Sequence, residues 1–142
     1  MNADTAPAES VAPPGWRRLE AKGFSELVGP VWFRKEEGGV RFGFRAEDRH
    51  ANPNGVIHGG MLMYFADHVL GALAWHACGR RPCATLSMNC DFLAAARPGD
   101  WIEGNAEITR KGRAVIFIRG MLEKEGEAIL TADSVWKVIG ER

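Results

Sequence analysis

Apolar and polar residues alternate along the C-terminal half of the chain with a period of two. Apolar residues take every second position from 84 to 92, and the residues between them are polar: Thr85, Ser87, Asn89 and Asp91. Similar sets follow over residues 102–108, 114–122 and 128–138, with glycine-containing turns between them. This alternation predicts four half-buried strands joined by short turns. It places Leu86 on the buried side and Thr85 on the opposite one.

Two shorter apolar segments come earlier in the chain. Residues 31–35 and 39–44 are separated by Glu-Glu-Gly, which predicts a β-hairpin. Before them, residues 16–28 carry spaced apolar side chains that predict one or two short helical turns. Gly29-Pro30 should end those turns.

A different pattern lies between the hairpin and the four strands. A turn at Asn52–Gly55 leads into a run from Met61 to Trp75 that has no proline and is apolar on almost every side. This pattern predicts one long, mostly buried helix that is too short and too polar to span a membrane. We therefore expect an α+β domain over residues 16–142, an antiparallel sheet wrapped around one helix. An arm of residues 1–15, rich in Ala and Pro, should precede it.

Composition narrows the range of functions. The 142 residues include 18 basic and 18 acidic side chains, and this balance argues against a dedicated nucleic-acid binder. Cys78, Cys83 and Cys90 have irregular spacing, which indicates free thiols in a reducing compartment. No spacing typical of metal ligands occurs, and no apolar leader segment opens the chain. The expectation is a cytoplasmic protein without a metal or cofactor and without a membrane partner.

One carboxylate interrupts the apolar helix. Asp67 shares a helical face with Gly60, Gly71 and Ala74, all of them small. A buried carboxylate is costly unless water, a ligand or a polar side chain meets it. The small neighbours would let a substrate or another backbone approach this carboxylate closely.

The start of the helix offers a second chemical group. Gly59 and Gly60 should leave unpaired N–H groups at the positive end of the helix dipole, where an oxyanion is stabilised. Taken singly, these glycines and Asp67 are explained by packing. Together with Asn52 and His58 just upstream, they predict a catalytic site.

These motifs resemble a known family. The residues that carry the resemblance are Asn-Pro-Asn-Gly-Val-Ile-His-Gly-Gly at 52–60, Ala66-Asp67, residues 89–93 and Pro98-Gly99-Asp100. They look like the hotdog-fold acyl-CoA thioesterases, in the phenylacetyl-CoA-thioesterase-like (PaaI-type) branch of the 4-hydroxybenzoyl-CoA thioesterase superfamily. The resemblance implies hydrolysis of an aryl- or medium-chain acyl-CoA to the free acid and CoA. It implies no cofactor beyond the coenzyme A of the substrate.

The resemblance also implies a homodimer with two sites at the interface between joined sheets, and pairing of dimers into a homotetramer. Asp67 would be the nucleophile or general base. The N–H of Gly59 from the other subunit would polarise the thioester carbonyl, helped by Gly60. Several outward strand positions are apolar as well, which fits an oligomer: Val115, Phe117, Met121, Ile129 and Val135.

Further roles carry over to three positions. Asn52 and His58 would position the carbonyl and the water. Thr85 falls where some relatives have a serine that orients the attacking water, although the alternation places its side chain away from the helix. A bulge at the start of the strand, or a site reached from the neighbouring subunit, would remove this conflict.

Coenzyme A carries phosphates, so cations should border the site. Arg110, Lys111 and Arg113 at one turn are candidates, as are Arg80 and Arg81 after the helix.

Two other functions remain open from the sequence. A hotdog hydratase or dehydratase would use His58 and the helix carboxylate for proton transfer at an acyl β-carbon. A non-catalytic module would bind acyl-CoA without turning it over.

Overall fold

The structure is a computed structural model that describes residues 11–140. It has two α-helices, α1 (Phe24–Val28) and α2 (Gly59–Ala77), and a short 3-10 turn at Asp48–His50. The seven strands are β1 (Arg17–Arg18), β2 (Trp32–Glu36), β3 (Gly39–Arg45), β4 (Cys83–Phe92), β5 (Trp101–Lys111), β6 (Val115–Lys124) and β7 (Glu127–Val138). Most of the predicted N-terminal arm, residues 1–10, lies outside the described residues, as do residues 141–142.

All seven strands form one antiparallel sheet in the order β1-β2-β3-β5-β6-β7-β4. The helix α2 packs across β4, β5, β6 and β7. This confirms the predicted α+β architecture, with the hairpin β2–β3 and the four later strands in place. Of the helical turns predicted over residues 16–28, one occurs as α1. Arg17 and Arg18 form β1 instead, and two residues are too few to show the period of a strand.

Two glycines let the helix approach the sheet closely. A Cβ atom on Gly104 of β5 would lie 2.9 Å from Leu122 Cδ2 and 2.9 Å from Val69 Cγ2. One on Gly120 of β6 would lie 2.7 Å from Leu70 Cδ2. A methyl group forced into such a contact costs roughly 1–3 kcal/mol. These bare positions therefore set the depth at which α2 lies in the sheet.

One face of α2 is buried and the other is not. The buried residues are Met61, Leu62, Phe65, Ala66, Val69, Leu70 and Ala74. Met63 and Trp75 are 37% and 42% exposed, so the prediction of an almost wholly buried helix holds for the core face only. No helix within residues 11–140 has the length and hydropathy needed to cross a membrane.

The predicted orientations of Leu86 and Ile129 are wrong. Leu86 was placed on the buried side but is 55% exposed, since the pairing of β4 with β7 shifts register between Thr85 and Ser87. Ile129 was placed outside but is fully buried. The pairing of β6 with β7 skips Ile129, because Leu122 pairs with Leu130 and Glu123 with Ala128. This bulge interrupts the alternation at Ile129.

Candidate active site

Thr85 and Asp67 meet where β4 begins beside the middle of α2. The hydroxyl of Thr85 donates a 2.7 Å hydrogen bond to Oδ1 of Asp67, within the same chain. The register shift after Thr85 is a β-bulge, and a bulge reverses the alternation of the residues before it. Thr85 therefore faces the helix. Strict alternation had placed its side chain away from α2, and the bulge at the start of the strand, one of the two expected ways to remove this conflict, is confirmed. The half-buried carboxylate thus has the polar partner that a charge inside an apolar helix requires.

A groove opens beside this pair, with a volume of about 370 Å³. On the helix side it is lined by Asp67, His68, Gly71, Ala72 and Trp75. Its other wall consists of Pro82, Cys83 and Trp136. The groove lies along the exposed face of α2, and Asp67 is the only carboxylate among these lining residues. A ligand held here would contact mostly aromatic and small apolar side chains next to one anion.

The first turn of α2 leaves one backbone donor free. His58 is the N-cap residue, and its Nδ1 accepts a 2.8 Å hydrogen bond from the N–H of Gly60. The N–H of Gly60, predicted as a helper donor, is therefore already occupied. No residue within 11–140 accepts a hydrogen bond from the N–H of Gly59. The ring of Phe92 lies against this residue, 3.3 Å from the position that a Cβ of Gly59 would take.

Asn52 organises the turn that leads to the helix. Its Oδ1 accepts hydrogen bonds from the N–H groups of Asn54, at 2.9 Å, and Val56, at 3.3 Å. The carbonyl oxygen of this amide is thus committed to the local fold. The side-chain NH₂ group has no acceptor within residues 11–140, so it is the part of Asn52 available to a ligand.

A buried histidine, His50, stabilises this same loop through hydrogen bonds to the backbone. His50 Nδ1 accepts a 3.0 Å hydrogen bond from the N–H of Glu47, and Nε2 lies 2.7 Å from the carbonyl oxygen of Val28. This pattern fixes a neutral ring with its proton on Nε2. The carbonyl of His50 also accepts the N–H of His58 at 2.9 Å. Burial lowers the pKa of His50 below its ordinary value. The sequence pattern gave no signal for this role.

A second histidine lies directly after the carboxylate. His68 packs edge-on against Phe42 of β3, with ring centroids 5.4 Å apart. Burial lowers the pKa of His68, and the nearby Asp67 carboxylate opposes that shift. Its Nε2 is buried without a hydrogen-bond partner in the described part of the chain. One turn earlier, the Tyr64 hydroxyl donates a 2.7 Å hydrogen bond to Ser25 Oγ, which ties α2 to α1.

The free donor and the carboxylate are far apart within one chain. Gly59 and Asp67 belong to the same helix and are eight residues apart, which is about 12 Å along the axis at ~1.5 Å per residue. A single thioester carbon cannot contact both groups of one subunit.

The predicted cations lie at two places. Arg110, Lys111 and Arg113 are exposed at the end of β5 and in the turn after it. Lys111 pairs with Ile116 of β6, Ile116 with Trp136 of β7, and Trp136 with Thr85 of β4. Three strand spacings therefore separate Lys111 from Thr85, which is about 14 Å at ~4.8 Å per strand. Arg80 is closer to the groove, since its guanidinium lies 5.5 Å from the ring centroid of Trp75. Within residues 11–140, no three His, Cys, Asp or Glu side chains gather as a metal site would require.

All three cysteines are free thiols, as predicted. Their sequence spacing gave no sign that two of them touch. The sulfur atoms of Cys78 and Cys83 are 3.2 Å apart at the junction of α2 and β4. Burial and the neighbouring Cys78 thiol raise the pKa of Cys83 to about 11.

Comparison with known proteins agrees with this geometry. The family model described as Thioesterase superfamily matches residues 54–130, from the turn before α2 into β7. The chain belongs to the Thioesterase superfamily. A curated Pseudomonas aeruginosa protein named a "putative esterase" is 29% identical over 113 residues, covering 78% of this chain and 84% of that protein.

Two solved structures extend the comparison. A phenylacetic acid degradation-related protein of Ralstonia eutropha is 27% identical, with a TM-score of 0.67, covering 87% of this chain and 85% of that one. A hypothetical thioesterase of Streptococcus pneumoniae, solved with coenzyme A, is 23% identical with a TM-score of 0.71, covering 79% of this chain and 88% of that one. The predicted hotdog fold, the PaaI-like resemblance and the assignment as a thioester hydrolase are confirmed.

Proposed function

We propose that this thioester hydrolase acts on acyl-CoA, at sites that two copies of the chain build together in a homodimer. The observation that carries the proposal is the Thr85–Asp67 pair at the edge of an apolar groove. It occurs on a helix whose first residue leaves a backbone N–H free. Thioester hydrolysis requires an attacking group and a donor for the oxyanion, and these two features meet those requirements.

In the proposed reaction, the N–H of Gly59 donates to the carbonyl oxygen of the thioester. Asp67 either removes a proton from the attacking water or attacks the carbonyl carbon itself. The tetrahedral intermediate then collapses and the CoA thiolate leaves, to be protonated as the free thiol. When Asp67 attacks, water hydrolyses the resulting anhydride and restores the carboxylate. The free amide of Asn52 and the ring of His58 position the carbonyl and the water.

The proposed homodimer follows from the separation of about 12 Å between Gly59 and Asp67 along one helix. A second copy, running in the opposite direction, brings the helix tip of one chain to the carboxylate of the other. The coenzyme A present with the Streptococcus pneumoniae relative supports CoA as the thiol part of the substrate. We propose that exposed basic side chains contact its phosphates, either Arg80 beside Trp75 or Arg110, Lys111 and Arg113 around the turn after β5.

The decisive experiment measures free thiol release from a panel of aryl and medium-chain acyl-CoAs by the purified chain, with and without a chelator. We expect turnover that the chelator does not reduce. Asp67→Asn keeps the size of the side chain but removes its charge, so kcat should fall about 10²–10⁴-fold if Asp67 is a general base. The melting temperature of the variant should stay close to that of the wild type.

Three outcomes would contradict the proposal. A protein that binds acyl-CoA but releases no thiol from any member of the panel is a binding module. Water added across an enoyl-CoA double bond, with the thioester intact, is the hydratase reaction. Normal turnover per folded molecule in Asp67→Asn, with a lowered melting temperature, gives Asp67 a structural role only.

A further inference from the structure

We infer that Trp136 forms the floor of the groove beside Asp67 and thereby limits the enzyme to compact acyl groups. This inference rests on the proposed function, since it takes the groove as the place where the acyl group of the thioester lies. The chain length that the enzyme accepts would then be set by one indole ring on β7.

Hydrogen bonds hold one end of this ring. The Nε1–H of Trp136 donates a 2.8 Å hydrogen bond to Ser134 Oγ, and that hydroxyl donates in turn to the carbonyl of Ile118 at 2.8 Å. Trp136 and Ser134 are both buried. Rotation of the indole would leave a buried N–H without an acceptor, which is costly.

Packing holds the other end. The benzo edge of Trp136 lies so close to Gly71 that a Cβ there would be 2.9 Å from Cη2 and 3.1 Å from Cζ3. Glycine is thus the residue that lets the ring reach the helix. With both ends fixed, the indole ring fills the space between β7 and α2.

The Trp136 ring lies next to the proposed catalytic pair, Thr85 and Asp67. Trp136 pairs directly with Thr85 across the sheet, and Thr85 donates to Asp67. Gly71 follows Asp67 by one helical turn on the same wall of the groove. An acyl group whose carbonyl carbon is at Asp67 must place its first carbons over Gly71 and the indole. Trp136 is only 3% exposed, so almost all of its surface is packed against neighbouring residues.

The test compares kcat/KM for dodecanoyl-CoA and for benzoyl-CoA in matched variants. Trp136→Leu removes the indole ring. It should raise the ratio of kcat/KM for dodecanoyl-CoA to kcat/KM for benzoyl-CoA at least about tenfold, a change typical of reshaped apolar pockets. Trp136→Phe keeps a ring of intermediate size and should give a smaller rise. Phe117→Leu makes the same kind of change on the exposed outer face of the sheet and should leave the ratio unchanged.

Gly71→Ala tests the inference in the opposite direction and does not depend on how Trp136→Leu folds. The added methyl must push the ring into the groove or enter it directly, so kcat/KM for benzoyl-CoA should fall relative to acetyl-CoA. An unchanged acyl ratio in a folded, active Trp136→Leu or Gly71→Ala variant would overturn the inference. So would a change of oligomeric state without a change of ratio, because another copy would then fill the groove. Absence of thiol release by the wild type would instead reject the proposed function.

Discussion

The hydrogen bond from Thr85 to Asp67 determines which carboxylate oxygen is available for the proposed reaction. Oδ1 accepts the threonine hydroxyl at 2.7 Å, while Oδ2 has no donor among the described residues. A carboxylate held by one fixed donor keeps its free oxygen in one direction, which is what a base or nucleophile needs. The methyl group that distinguishes threonine from serine does not change this donor.

A matched pair of substitutions isolates the backbone N–H of Gly59. Gly59→Pro removes this donor, and proline is favoured at the first residue of a helix because its missing N–H is not used there. The preceding residue, His58, already has φ −56° and ψ 134°, the extended geometry that a following proline requires. Gly59→Ala keeps the donor and adds a side-chain atom against the same Phe92 ring.

We expect Gly59→Pro to lower kcat by about 10²–10³-fold relative to Gly59→Ala, since this is the usual cost of one lost oxyanion donor. Steady-state thiol release measures the difference, and circular dichroism verifies that α2 is retained. Equal activities of the two variants would remove Gly59 from the reaction.

The sequence motif around α2 pointed to the candidate site residues, whereas the contacts of those residues could not be predicted from it. Asp67, Asn52 and the helix tip stand out because their types and spacing are unusual within an apolar segment. The cap made by the His58 ring on Gly60 was missed because histidine is not a standard N-cap residue. Strict alternation misplaced Thr85, since a bulge carries no signal in an alternating sequence. Only the conflict between this alternation and the family resemblance indicated the bulge that the structure shows.

At the scale of elements, the loop before α2 is held by a histidine that must stay neutral. Protonation of His50 would place a proton on Nδ1, which now accepts the N–H of Glu47. Burial lowers the pKa of this ring from its ordinary value of 6.5 in the folded protein. Below about pH 6.5, His50 therefore binds a proton more readily in the unfolded chain than in the folded protein. The stability due to the neutral ring is complete above about pH 6.5 and is lost as the pH falls through the lowered folded-state pKa.

The expected outcome is a melting temperature that falls between about pH 7 and pH 5, with His68 contributing in the same direction. His50→Asn retains an acceptor near the position of Nδ1 but cannot be protonated in this range. It should lower the melting temperature at pH 7 and flatten its pH dependence. His76→Asn, on the exposed end of α2, serves as the matched control. An equally steep pH dependence in His50→Asn would show that another group causes it.

Strand and helix periodicity predicted the elements well, and pairing irregularities account for most errors. The strands β4 to β7 and the helix α2 were predicted because their apolar residues repeat over seven residues or more. Leu86 and Ile129 were misplaced because each lies at a register shift, one in the pairing of β4 with β7 and one in the pairing of β6 with β7. The contact between Cys78 and Cys83 was missed for the same reason, since it depends on how α2 turns into β4.

At the scale of the whole molecule, one chain holds two halves of the proposed site, and these halves cannot meet within that chain. The free N–H at Gly59 and the carboxylate of Asp67 are about 12 Å apart along a rigid helix. In a twofold dimer each site would take its carboxylate from one copy and its helix tip from the other, so the two sites are equivalent. The apolar residues left exposed at the start and end of the edge strand β4, Leu86 and Phe92, are available for burial by such a partner.

Subunit mixing tests whether the sites are shared. Asp67→Asn and Gly59→Pro each damage a different half of the proposed site. In a mixed dimer, one site then carries both changes and the other carries neither. Equal mixing should therefore restore about a quarter of wild-type thiol release, because half of the dimers are mixed and each has one intact site. Sites contained within one chain would give no restoration.

The reciprocal mixture tests the same point with a double variant whose folding and assembly with wild type are verified first. The double variant Asp67→Asn/Gly59→Pro is co-expressed with an equal amount of wild type. When sites are shared, every mixed dimer has two damaged sites, so about a quarter of the activity remains, all of it in wild-type dimers. When sites lie within one chain, each wild-type subunit stays active and about half remains. Shared sites require about a quarter of wild-type thiol release from both mixtures. Sites within one chain require no activity from the first mixture and about half of the wild-type activity from the second.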